Sequence, residues 1–257
     1  GPGKVRLSWQ ATRDESELSA VPDGYVLYTR VGDGGFDGGR VVCDTTITVR
    51  QRRDVIYSYR VTALNDGGES FPSETLAACV TSGAPATVVV VNGFDRVSAP
   101  ECREDGFHNE FDCGVAYLHD VAFVGEQRVH DIARRREKCE IKAFGVSNSD
   151  NNGTLVGGNT FDYAYLHGKS IVAAGYSFCS TSVRAVERSE RVLAEADVVD
   201  LILGKQRATR VGRGVADVRY RCFSPELQRA VSNYIASGGA LFTSGAYVAT
   251  DLCGSEG

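Results

Sequence analysis

Methionine is missing from this chain altogether, position 1 included. A sequence that starts without an initiator residue is expected to be a processed or truncated piece of a longer chain, and its cellular address has to be inferred. No signal-peptide pattern is present, and no apolar run approaches the roughly 18 residues of a membrane span. A basic stripe is also missing. With 28 Lys and Arg against 33 Asp and Glu the net charge is -5, which argues against a nucleic-acid partner. None of the eight cysteines forms a Cys-x-x-Cys pair, so a zinc ribbon is excluded. His108 and the adjacent His119 and Asp120 lack the tight ligand spacing of a metal site, and no metal or other cofactor is expected.

What remains is an ordinary globular composition, 42% hydrophobic and 24% charged, in 257 residues. That length accommodates one large domain or two smaller ones. Cys102 and Cys113 bracket a polar, Gly-containing loop and are the candidate pair for a local disulfide. Free or buried thiols are the alternative for all eight.

The stretch Ala86 to Arg96, ATVVVVNGFDR, organises the C-terminal part. Thr87 to Val91 are all β-branched, and a short unbroken apolar run reads as a strand buried on both faces. Helices above and below such a strand make an α/β layer. Further strands are expected at Tyr176–Ser180, Val198–Leu203 and Ala240–Thr243, and helices at Val115–Gln127, Thr160–Ala174, Val183–Ala194 and Pro225–Ala236. The buried side of the Thr160–Ala174 helix is expected to use Phe161, Tyr165, Ile171 and Val172. Ser224-Pro225-Glu226 is a strong start signal: a capping hydroxyl, proline at the first helical position and an acid in the first turn. Strands alternating with helices imply a mainly parallel sheet with right-handed crossovers.

The first 82 residues read differently. Val5, Leu7 and Trp9 alternate with polar residues, and Tyr25–Val31, Thr45–Arg50 and Tyr57–Ala63 follow as further strands. Gly-rich turns such as GDGGFDGG lie between them, the pattern of a β-sandwich. Tyr25, Tyr28 and Phe36 are either core or a ligand face. Ser82-Gly-Ala-Pro85 is the linker, so the expected domains are 1–82 and 86–257, the second truncated at its C-terminus.

The segment YSYRVTALNDGGESFPSE (Tyr57–Glu74) resembles the F strand, FG loop and G strand of a fibronectin type III domain. The resemblance makes Trp9 the core tryptophan of strand B and Tyr57 a tyrosine corner, with strand A missing. The second domain resembles a flavodoxin-like three-layer α/β sandwich. Its tail, DVVDLILGKQ…SPELQRAVSNYIASGGALFTSGAY, resembles the class I glutamine-amidotransferase-like fold, although Ser244 or Ala246 stands near where those enzymes carry their cysteine. The wider pattern VNGFDR…FVGEQ…GGNTFDYAYLHGKSIVAAGYSF…VDLILGKQ…SGAYVATDL resembles large secreted Bacteroidetes proteins, often labelled xanthan lyase and often carrying a golvesin-type domain. That resemblance implies an extracellular, surface or periplasmic protein connected with polysaccharide or cell-wall material.

In open parallel sheets, ligands bind outside the carboxyl ends of the strands. Here those ends deliver Asn92, Asp95 and Arg96, then Ser180 and Ser182, then Lys205 and Gln206, then Ser244, Tyr247 and Asp251. Two readings of this rim follow. In one, the protein is a hydrolase. Ser244, beside Gly245 on a strand-to-helix turn, is the candidate nucleophile, with Ser180 and Ser182 as alternatives. His167 is the base and Asp95 or Asp162 orients it. In the other, the protein is a non-catalytic surface module that binds a glycan, a cell-wall fragment or a surface protein through Asn92, Arg96, Ser180, Ser182, Lys205, Gln206 and Tyr247.

Overall fold

A computed structural model describes residues 3–11, 21–70, 72–94, 101–103, 115–117, 155–156, 162–204, 206, 209–210, 218–219, 221–249 and 252–253. Contacts group the chain into two compact units, Gly1–Val90 with Asp162–Ser180, and Val91–Phe161 with Thr181–Gly257.

The first unit opens with β1 (Gly3–Ser8), β2 (Gly24–Val31), β3 (Arg40–Val42), β4 (Thr46–Gln51), β5 (Tyr57–Asn65), β6 (Gly68–Glu69) and β7 (Leu76–Ala78). The alternating β1 pairs antiparallel with β4, with Val5 opposite Val49 and Leu7 opposite Ile47, so the apolar positions of both strands share one face. The second sheet runs β3-β2-β5-β6, with β7 also on β5. Between the sheets, the Trp9 ring meets Tyr25 edge-on at 5.4 Å. The Tyr57 hydroxyl accepts the Arg52 backbone N–H at 3.3 Å, the bond expected of a tyrosine corner. Tyr59 is buried and donates to Gln51 Oε1 at 3.0 Å, and burial raises its pKa. The ambiguity over Tyr25, Tyr28 and Phe36 divides by residue: Tyr25 is core, whereas Tyr28 and Phe36 are half-buried.

The linker leaves this sandwich under restraint. Asp54, at φ 63°, accepts the Ser82 backbone N–H and hydroxyl, both at 2.7 Å.

Beyond the linker come β8 (Thr87–Asn92), β9 (Glu101–Arg103), β10 (Val115–Tyr117), β11 (Leu155–Val156), α1 (Tyr163–Ala173), β12 (Ser177–Ser182), α2 (Val183–Arg188), α3 (Arg191–Ala194), β13 (Val198–Ile202), β14 (Thr209–Arg210), β15 (Val218–Arg219), α4 (Pro225–Ala236) and β16 (Ala240–Ser244). Four of these strands form a parallel sheet in the order β12-β8-β13-β16. β13 and β16 are in register from Val198↔Ala240 to Ile202↔Ser244. As expected of a central strand, Val88 to Asn92 are all buried.

Three expected elements differ. Val115–Tyr117 is a strand, antiparallel to β9 and parallel to β11, where the sequence predicts the start of a helix. The rest of that expected helix lies outside the described residues. The helix expected over Val183–Ala194 breaks at Ser189, which is extended at φ -153°. The next residue, Glu190, accepts from Asn233 of α4 at 2.7 Å. In α1 the fully buried positions are Ala164 and Gly168, while Tyr165, Ile171 and Val172 are half-buried. Phe161 lies outside the described residues.

Candidate carboxyl-edge site

The site is built by the tips of the parallel strands, all within the second unit. β8 ends at Asn92, which is buried, and the next N–H, of Gly93, donates to Ile202 O at 2.7 Å. A Cβ on Gly93 would sit 2.8 Å from that oxygen and from side-chain carbons of Leu201 and Leu203, so only glycine lets this tip close. One strand further, Leu203 N–H donates to Ser244 O at 2.8 Å, and Ala246 N–H donates to Gly204 O at 2.8 Å. Gly204 has φ 56°, a left-handed turn that costs glycine little. Asn92, Gly204 and Ser244 are thus held side by side through main-chain bonds.

Below this rim, Gln206 is buried and donates from Nε2 to Arg221 O at 2.8 Å. The thiol of buried Cys222 donates to Gln206 O at 2.9 Å and also points at Tyr247 O, 3.6 Å away. Ser224 caps α4 by accepting from Leu227 N–H at 3.1 Å, and its hydroxyl donates to Glu187 at 2.5 Å. Sequence reasoning passed over Cys222. Its position two residues before a strong helix cap is the signal that marks it as an edge residue.

The other expected site residues take varied places. Ser182 caps α2, its hydroxyl accepting from Ala185 N–H at 3.2 Å. Ser180 belongs to the first unit, where its hydroxyl both donates to Ala77 O and accepts from Ala77 N–H at 2.7 Å. Asp162 and half-buried His167 are also in the first unit, and the Asp162 carboxylate is paired with Arg30 at 2.6 Å. Asp95, Arg96, Lys205 and Asp251 lie outside the described residues, as do His108, His119 and Cys113. Ser244 and Tyr247 are half-buried at the rim.

A groove of about 370 Å³ lies elsewhere in the second unit, lined by Glu187, Arg188, Glu190, Arg191, Glu226 and Arg229 among others. Its three arginines are matched by three glutamates, so it presents no net charge to select a ligand. Among the described residues no group of three or more His, Cys, Asp or Glu is placed to hold a metal ion. No helix of the described residues is long and apolar enough to cross a membrane.

No family model matches the chain, and no curated protein matches it. Solved structures similar to it include the fibronectin type III domain of the human KIAA0970 protein, at 23% identity and TM-score 0.26 over 32% of this chain and 66% of that one. A second is the domain of human fibronectin type III domain containing protein 3, at 26% identity and TM-score 0.27, covering 33% of this chain and 80% of that one. The twitchin kinase region from C. elegans matches at 19% identity and TM-score 0.27, covering 46% of this chain and 23% of that one.

Proposed function

We propose that this chain is a non-catalytic binding module of an extracellular, surface or periplasmic protein. In this reading a fibronectin type III-like sandwich over 1–82 precedes a flavodoxin-like three-layer domain from 86. The ligand, a glycan or cell-wall fragment, binds at the carboxyl edge of the parallel sheet. In chain order the four strands run 2-1-3-4, which supports the flavodoxin-like reading and sets the switch point between β8 and β13, where open α/β sheets bind ligands. Ser244 and Tyr247, both half-buried at the rim, offer a hydroxyl and an aromatic face, a chemistry that suits a neutral sugar.

One observation favours binding over hydrolysis. A serine nucleophile needs a base that an acid orients, and Asp162, one of the two acids expected in that role, is committed to Arg30. The backbone N–H of Ala246, a natural oxyanion donor, is already engaged by Gly204 O. The hydrolase reading stands second, on the half-buried hydroxyl of Ser244 at a strand tip before Gly245.

Calorimetric titration of the full chain with neutral oligosaccharides tests the proposal. Tyr247→Ala is expected to weaken binding about tenfold, the scale of one lost aromatic contact. Absence of binding to neutral sugars, or ester turnover that Ser244→Ala abolishes, overturns it.

A further inference from the structure

We propose that residues 162–174, helix α1 with its N-cap, form a strap latched to the fibronectin-like sandwich by Arg30, and that the strap opens without unfolding the sandwich. Both partners lie within the first unit. Arg30 is a charged residue on β2 that is only 8% exposed. One of its terminal nitrogens meets the Asp162 carboxylate oxygens at 2.6 and 2.7 Å and donates to Ser58 Oγ at 2.8 Å. The planar guanidinium lies over two aromatic rings, Phe36 at 5.3 Å and Tyr165 of α1 at 4.9 Å. The sandwich thus reaches the first turn of α1 through a charge, a hydrogen bond and a ring.

Beyond that pair, the attachment of α1 itself is narrow. α1 fully buries only Ala164 and Gly168, and a Cβ on Gly168 would fall 2.2 to 2.8 Å from the Phe178 ring, so contact there is close but small in area. Asp162 stands at the helix N-cap yet makes no capping bond, because its carboxylate faces Arg30. The helix start has given up a local stabiliser for a long-range one. Downstream, Cys79 and Phe178 exchange backbone bonds of 2.9 and 3.0 Å, and Thr81 N–H donates to Ser177 Oγ at 3.0 Å. β12 is thereby anchored by its own backbone bonds and by the buried Phe178 ring, whereas α1, with two small residues fully buried and an ion pair at its first turn, is the part that opens locally.

Removing one member of this largely buried ion pair leaves the other charged and unpaired, so either partner breaks the latch. The test is native-state hydrogen exchange of the full chain. Arg30→Ala and Asp162→Asn are each expected to speed exchange of the α1 amides from Leu166 to Ala174 about a hundredfold. The amides of Leu27 and Val61, inside the β2–β5 ladder, should keep wild-type rates. Arg30→Lys keeps a cation without the flat face between the rings, and recovers part of the protection. Asp162→Asn alters α1's side of the ion pair and leaves the sandwich sequence unchanged, so it reads the latch even if Arg30→Ala fails to fold. Unchanged α1 exchange in Asp162→Asn overturns the proposal. So does equal acceleration of α1 and of the β2–β5 ladder, which makes strap and sandwich one cooperative body.

Discussion

Helices α1 and α4 are of similar length, 11 and 12 residues, yet they are docked by different means. α4 begins at a serine cap with proline behind it and buries Leu227, Ala230, Val231 and Tyr234, a stripe at helical spacing. α1 has no capping bond and fully buries only Ala164 and Gly168. At its N-cap, Asp162 is bonded to Arg30, on a strand 132 residues away in the chain. A helix fastened by an apolar stripe carries its docking instructions within itself. One fastened by small residues and a charge depends on a partner that its own sequence does not name.

Three substitutions sharpen or break this contrast. The largest effect is expected from Leu227→Ala. This side chain is 1% exposed in the α4 stripe, and its loss should cost about 2–5 kcal/mol by chemical denaturation. A change well below 1 kcal/mol would mean the stripe is not what docks α4. Next comes Gly168→Val, which drives a side chain into the buried Phe178 ring and should cost about 1–3 kcal/mol through overpacking. If valine is accepted there, the close approach of α1 is not a constraint and the contrast weakens.

The smallest effect concerns the linker clamp. Backbone and side-chain bonds from Ser82 hold the Asp54 carboxyl below its ordinary value of 3.8. A depressed folded-state pKa means the clamp contributes fully above pH 3.8 and is lost as the pH falls through the lower folded value. The amide resonance of Ser82 should therefore shift in acid below that point, and Asp54→Asn should abolish the shift. A Ser82 resonance that titrates unchanged in the variant would detach the linker from Asp54.

How much could be read beforehand follows the same division. The β-branched run at Thr87–Val91 and the Ser-Pro-Glu start of α4 were legible because each rests on local backbone preference and burial period. The tyrosine corner at Tyr57 was legible because its bond spans only five residues, to Arg52. The break at Ser189 was not, since the apolar spacing of Val183–Ala194 continues through it. Nor was the strand at Val115–Tyr117, whose apolar spacing also fits a helix face until β9 and β11 pair with it. At the candidate site, the positions of Asn92 and Ser244 at strand tips were legible from the small and polar residues that end each apolar run. The commitments of Ser180 to Ala77 and of Asp162 to Arg30 were not, because the partners lie 103 and 132 residues away.

By itself, then, the sequence determined the strands at Thr87–Val91, Val198–Ile202 and Tyr57–Ala63, where α4 begins and ends, and that a parallel layer follows a β-sandwich, since periodicity and capping act within a turn or a strand. Tertiary structure alone decided that α1 and the start of β12 group with the sandwich, and that Asp162 at the start of α1 pairs with Arg30. Such pairings depend on which distant groups burial brings within about 3 Å, a distance over which hydrogen bonds and ion pairs act and which no local pattern encodes.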